Sequence, residues 1–339
     1  MGVLVDRLSR GAGEFDAVFA MSVRQLPGSE ARLFRMLGLL PGSSFDEYVV
    51  AVVADVPVDS ARAALEDLLD AHLVQQPTVG RYRLHDLVRE HARRAVAQQD
   101  SAIVRERALG RMLDYYVHAT AAADEAMAFL APGRPVSAGR PPAELPRFAD
   151  KNAAFVWLLA EYENLPAAFE IADATGADVH ACELPRFMRA YFARRCGTTH
   201  LNHLFERSLA AAQRLDDPLH LAEAHSDLGF ARYNAGRMAE ADAAYEAAEP
   251  PLSRSGAIGA QAELAMRRGY LRWDQGYVEE PLELFRTART AYEAAGCPTG
   301  AAQPAAGPAP GRRLRVQRIP TRCRTTRLPE YSMRRAGAV

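Results

Sequence analysis

Apolar residues recur at helical spacing along most of this chain, and a short stretch around residues 73–84 is the first clear interruption. Leu33, Phe34, Leu37 and Leu40 predict a first helix opening at Ser29, whose hydroxyl can cap free backbone N–H groups, and closing at Pro41-Gly42. Ser44-Phe45-Asp46-Glu47 reads as a capping box that opens a second helix through about Ala54. After Pro57, Asp59 or Ser60 is expected to cap a third helix with Ala61, Ala64, Leu65, Leu68 and Leu69 inward. Leu73 to Gln76 and Arg81 to Leu84 flank Pro77-Thr78-Val79-Gly80, which predicts a hairpin. Three helices followed by a two-stranded wing is a winged-helix plan. Asp86 should then cap a helix from Leu87 to Ala97.

Beyond it, residues 101–130 keep one apolar side (Leu109, Met112, Leu113, Tyr116, Val117) until the proline-rich Pro132 to Pro146. A helix restarts after Asp150, carrying Phe155, Trp157, Leu158, Leu165 and Phe169. An internal repeat comes next. Phe205, Tyr245 and Phe285 lie 40 residues apart, each three before a small residue, Ser208, Ala248 or Ala288. Gly229 and Gly269 keep that spacing, as do the turn glycines Gly236 and Gly276. A ring, a small residue one turn later and a glycine where paired helices touch suit stacked helical hairpins. The order resembles the tetratricopeptide pattern, with Arg268 and Pro281 departing from it in the second copy. The register fails after Gly296, where Pro308-Ala309 stands in place of a Leu-Gly pair.

The expected architecture is mainly α: a lead-in over 1–28, a winged-helix domain over 29–98 and a helical linker over 101–180 with a proline-rich loop at 131–147. Tetratricopeptide-like repeats follow over 181–296, and then a disordered tail over 297–339 with nine arginines and Glu330 as the one acid after residue 310.

Composition changes this picture little. The 339 residues are 49% hydrophobic and 24% charged, with formal net charge −1, so no global charge favours nucleic acid or an anionic membrane. No apolar run approaches the ~18 residues of a membrane span, and the N-terminus carries no secretory pattern. Cys182, Cys196, Cys297 and Cys323 form no Cys-x-x-Cys pair, which suits a reduced, cytoplasmic protein.

No constellation specifies a reaction. Gly11-Ala12-Gly13 has Asp16 where a dinucleotide fingerprint needs its third glycine. A phosphate loop needs Gly-x-x-x-x-Gly-Lys-Ser/Thr, yet the single lysine, Lys151, lies in Asp150-Lys151-Asn152. No catalytic residue is therefore expected. No metal is expected at Cys182, Cys196, His200 and His203 either, because their spacing misses that of structural zinc. The third helix carries Asp59, Glu66, Asp67 and Asp70 against Arg62, a face that repels phosphates, so direct DNA contact through it is not expected. His85-Asp86 stands at the wing-to-helix corner, where a ring N–H can meet an anion. On chemistry alone a surface histidine in a turn is the simpler reading.

In the repeats, register places Glu223, Ser226, Phe230 and Tyr233, then Glu263, Met266, Tyr270 and Trp273, along a concave groove. They are candidate anchors for a protein or peptide partner, with inter-repeat core as the equal alternative.

Several segments taken in order carry a family resemblance. Ser22-Val23-Arg24-Gln25-Leu26-Pro27, Ala31-Arg32-Leu33-Phe34-Arg35-Met36-Leu37-Gly38 and Tyr82-Arg83-Leu84-His85-Asp86-Leu87-Val88-Arg89 resemble the winged-helix section of bacterial STAND-type NTPases. They most resemble regulators of the Streptomyces antibiotic regulatory protein type. Trp157-Leu158 with Glu161, Asn164 and Leu165 is similar to the helical linker of these proteins. The resemblance covers about residues 15–296. It implies an NB-ARC nucleotide-binding domain before the winged helix and a DNA-binding region before that. It also implies that His85-Asp86 corresponds to a Met-His-Asp motif, with Leu84 in the Met position and His85 contacting the phosphate of ADP.

With no phosphate loop in this sequence, the expectation is a non-enzymatic regulatory fragment without its own cofactor, binding ADP or ATP only if a separate NTPase domain is supplied. Either the other half is encoded separately or the chain is truncated or frame-shifted. The rivals are a standalone tetratricopeptide adaptor and a DNA-binding winged-helix factor.

Overall fold

The computed structural model describes residue 23 and residues 25–127, 136–189 and 198–296. Among them it is mainly α-helical, with thirteen helices and one three-stranded sheet. The lead-in before residue 23, part of the proline-rich loop, Cys196, Cys297, Cys323 and the tail over 297–339 lie outside the described residues, as does the side chain of His200.

Helix α1 spans Gly28–Leu37 and buries Leu33, Phe34, Met36 and Leu37. Strand β1 (Ser44–Phe45) leads into α2 (Glu47–Ala54) and α3 (Val58–Asp70). Strands β2 (Gln75–Thr78) and β3 (Arg81–Arg83) form the hairpin, with Gly80 in the left-handed region at φ 73°. The sheet runs β1–β3–β2, all antiparallel, with Ser44 opposite Arg83 and Phe45 opposite Tyr82. Helix α4 (Asp86–Gln99) closes this part by packing on α1, where Gly38 lets the backbones meet: a β-carbon there would lie 2.6 Å from the Ala92 carbonyl carbon.

The helices of this part fall where expected, but their caps differ. Pro27 and Pro57 precede α1 and α3 with no side-chain cap, and Ser29 donates instead to Glu30 at 2.8 Å. The Ser44-x-x-Glu47 capping box does not form, because Ser44 and Phe45 are committed to pairing with β3. Asp46 caps α2, accepting from the Val49 amide at 2.9 Å. Asp86 lies inside α4 and His85 takes the N-cap place with no side-chain cap bond.

Helix α5 (Ala102–Met127) is the long element against which the linker packs. Helices α6 (Lys151–Ala160) and α7 (Asn164–Thr175) follow, α6 capped by Asp150 accepting from the Ala153 amide at 2.8 Å. Three hairpins complete the described chain: α8 (Asp178–Phe187) with α9 (Thr198–Leu215), α10 (Pro218–Asn234) with α11 (Met238–Ser255), and α12 (Ile258–Asp274) with α13 (Glu279–Ala294). Helix α8 straddles the expected boundary at residue 180, so the first hairpin begins earlier than the sequence suggested.

The 40-residue repeat is this stack. Gly229 faces the ring of Tyr245 and Gly269 the ring of Phe285, each sixteen residues on. Gly236 and Gly276 make the turns at φ 77° and 94°. One continuous core runs from Leu33 to Ala231, and two smaller clusters fill the later hairpins.

Candidate functional site

At the wing-to-helix corner, Tyr82 and Leu84 are buried while His85 and Asp86 are exposed. Buried Leu84 anchors the corner, extended backbone at His85 (φ −64°, ψ 147°) turns it, and Asp86 enters the first turn of α4, where the helix dipole favours its charge. Leu87 follows at 39% exposure. The two residues named from sequence therefore share an open corner, their side chains facing solvent.

Beside it lies a buried polar joint between the helices and hairpin of residues 28–99 and the helices that follow. Arg81 on β3 pairs with Glu161 and donates to the Ser44 hydroxyl at 2.8 Å and to the Ala160 carbonyl at 3.2 Å. Asn164 donates to the Ser44 carbonyl at 2.8 Å and to Glu161. Asp46 accepts from the Tyr115 hydroxyl at 2.8 Å and from the Trp157 indole at 3.3 Å. Burial, reinforced by the Asp46 charge and opposed by Arg81, pushes the Glu161 carboxyl up to about 7. Trp157, Glu161 and Asn164, singled out from sequence as a motif, are thus the residues that meet Asp46, Arg81 and Ser44 across this joint. Gly42 leaves room for the Asn164 side chain, which a β-carbon there would strike.

The repeats hold a second buried cluster, and it corrects the expected groove. Glu223, Ser226, Glu263 and Met266 are buried, and Phe230, Tyr233, Tyr270 and Trp273 are half-buried. Glu223 pairs with Arg186 at 2.6 Å. Glu263 receives Arg189 at 2.8 Å, Arg267 at 2.5 Å and Arg186 at 3.3 Å. Arg189 also pairs with Asp227, which accepts from Arg267 at 2.9 Å, and Arg267 donates to the Ser226 hydroxyl at 2.8 Å. Inside the stack these acids pair with arginines, as the inter-repeat-core alternative has it. Burial pushes Asp124 on α5 up to about 7 and Asp227 up to about 6, against the pull of Arg189 and Arg186. A shallow recess there is lined by Arg186, Glu223, Glu263, Leu252 and Leu264.

Phe230 and Tyr233 hold the next hairpin. The Arg267 guanidinium stands 5.3 Å over the Phe230 ring, and the Tyr233 hydroxyl donates to Asp274 at 2.7 Å. Reading by residue type missed Arg186, Arg189, Asp227 and Arg267. The signal that could have found part of the cluster is the recurrence of Glu183, Glu223 and Glu263 at the repeat spacing. Glu183 does related work one hairpin earlier, accepting from Ser137 and Ala138 amides at 3.1 and 3.0 Å and from the Ser137 hydroxyl at 2.6 Å.

The exposed side of α3 is acidic: Asp59, Glu66, Asp67 and Asp70 face solvent, and Arg62 is engaged by Glu47 and Asp59, both at 2.7 Å. His203 is exposed and Cys182 buried. Among the described residues no group of three or more His, Cys, Asp or Glu is arranged to hold a metal, and no helix is long and apolar enough to cross a membrane.

No family model matches the chain. It is 34% identical over 247 residues to the regulatory protein AfsR of Streptomyces griseus, a stretch covering 70% of this chain and 24% of that protein. It is 36% identical over 186 residues to the regulatory protein AfsR of Streptomyces coelicolor, covering 53% of this chain and 18% of that protein. The chain thus spans a quarter or less of the length of these curated relatives. Among solved structures it is similar to a Signal Transduction ATPase with Numerous Domains (STAND) protein with a tetratricopeptide repeat sensor from Pyrococcus horikoshii. There the identity is 13% and the TM-score 0.42, over 86% of this chain and 42% of that one. Over seven-tenths of its length, then, the chain is homologous to part of a Streptomyces regulatory protein.

Proposed function

We propose that this chain is a regulatory and interaction segment of a STAND-type transcriptional regulator, working in the cytoplasm and binding a protein partner through its helical repeats. The observation that carries this is the 34% identity to the regulatory protein AfsR over 70% of the chain. In this reading the winged part, the linker and the repeats transmit a state by contact and catalyse no reaction. His85 is an inherited phosphate reader that meets ADP or ATP only when an NTPase domain is supplied, and the chain holds no cofactor of its own. The two buried ionic clusters support the reading, since one joins the hairpin strand β3 to the helices after residue 150 and the other joins successive repeat hairpins, by partners that dock in defined geometry. A winged-helix factor gripping DNA through α3 is the weaker alternative, because four solvent-facing acids oppose phosphate there.

The test is a chimera of Streptomyces AfsR in which the matching segment is replaced by residues 25–296 of this chain, read on a promoter that depends on AfsR. Transcription should persist with the chimera and fall with Trp273→Ala, with melting of the isolated chain as the control for folding. Equal transcription with and without residues 178–296 would overturn the proposal.

A further inference from the structure

The repeat itself says what belongs on its outer end. Four residues of the second hairpin hold the first helix of the third. Phe230 lies under Arg267, Tyr233 bonds Asp274, Asp242 pairs with Arg272 at 2.8 Å, and Glu249 pairs with Arg268. All four contacts fall on α12. Forty residues on, the same places in the third hairpin are Tyr270, Trp273, Leu282 and Arg289. Tyr270 and Trp273 are half-buried, and Leu282 is 41% exposed. Among the described residues Arg289 pairs with its helix neighbour Glu293, at 3.9 Å. Beside them Val278 is 64% exposed. The sequence that follows has Pro308-Ala309 where the register calls for Leu-Gly.

We propose that this end face is a docking surface for an amphipathic helix of another protein, seated as α12 is seated on the hairpin before it. The inference rests on the reading that the repeats bind protein and adds the face and the chemistry. Where Glu249 and Asp242 take Arg268 and Arg272, four residues apart on one helix face, Arg289 and Leu282 take an acid and, four residues later, an aliphatic side chain. The end face has exchanged acids for one arginine and one leucine, and the partner exchanges arginines for the complement. Trp273 supplies the broad apolar contact on which such a helix anchors.

The probe is a hydrocarbon-stapled helical peptide of residues 258–274 carrying Arg268→Glu and Arg272→Leu, labelled and titrated with the full chain by fluorescence anisotropy. It should bind about tenfold more tightly than the stapled peptide of unaltered sequence. Leu282→Glu in the chain should weaken it by about the same factor, and Arg289→Glu should shift preference back toward the Arg268 peptide. Both substitutions sit on the exposed side of α13, and an unchanged melting curve verifies the fold. Equal affinity for the two peptides, no detectable binding, or a preference that ignores Arg289→Glu would each overturn the inference. If transcription in the chimera still depends on residues 178–296 while the peptides fail, this inference falls and the proposed function stands.

Discussion

Gly269 and the ring of Phe285 lie so close that a β-carbon on the glycine would sit 2.5 Å from Cε1 of the phenylalanine. Gly229 stands in the same relation to Tyr245, so the repeat is held by a backbone-to-ring contact that no larger residue permits. Alanine at either glycine would gain about 1 kcal/mol of helix propensity. It would lose about 1–3 kcal/mol by forcing a packed ring off its site. Gly269→Ala should therefore lower stability on balance, and Gly269→Val should lower it further, both read by urea unfolding. A rise in the midpoint for Gly269→Ala would show that the ring moves freely.

Removing one partner from the wing–linker joint should be costly. Arg81→Ala leaves Glu161 and Asp46 facing each other with 1% and 8% side-chain exposure. Loss of one member of a buried pair typically costs about 3–5 kcal/mol. A double variant, Arg81→Met with Glu161→Gln, should recover part of it. Chemical unfolding of the three proteins checks this, and a loss under 1 kcal/mol for Arg81→Ala would mean the joint is solvated.

The raised carboxyls make stability depend on pH in a defined direction. Glu161 and Asp124 stand at about 7 and Asp227 at about 6 in the folded chain, above their unfolded values near 4. Between those limits the folded state binds more protons, so stability is highest near the lower limit and falls as pH rises toward 7. A decline in unfolding free energy between pH 5 and 8 is expected. Asp124→Asn removes one contributor and should flatten the profile. Unfolding free energies at four pH values decide it, and a profile rising over that range would contradict the assignment.

His85, exposed and without a capping bond, should be dispensable to the fold. His85→Ala is expected to change stability by less than about 0.5 kcal/mol. Calorimetry should find no ADP heat with the chain alone. With an NB-ARC domain of the resembled family added, ADP should bind more weakly when His85 is replaced. Nucleotide binding by the lone chain, lost in His85→Ala, would refute the reading that the pocket lies elsewhere.

Periodicity made the helices and the 40-residue repeat legible, and turn residues the hairpin, because a helix face, a tight turn and a ring-over-glycine contact are written in residues close together in the chain. Trp157, Glu161 and Asn164 were likewise visible as a motif, though not what they touch. Tertiary structure decided the rest. Ser44 and Phe45 became a strand because β3, nearly 40 residues on, offered an unpaired edge, which left Asp46 to cap α2. Glu223 and Glu263, which on one helix read as groove-lining acids, are buried because packing brings Arg186, Arg189 and Arg267 to them. Whether a charged side chain faces water or a partner depends on groups contributed by other helices, and local spacing holds no record of their approach.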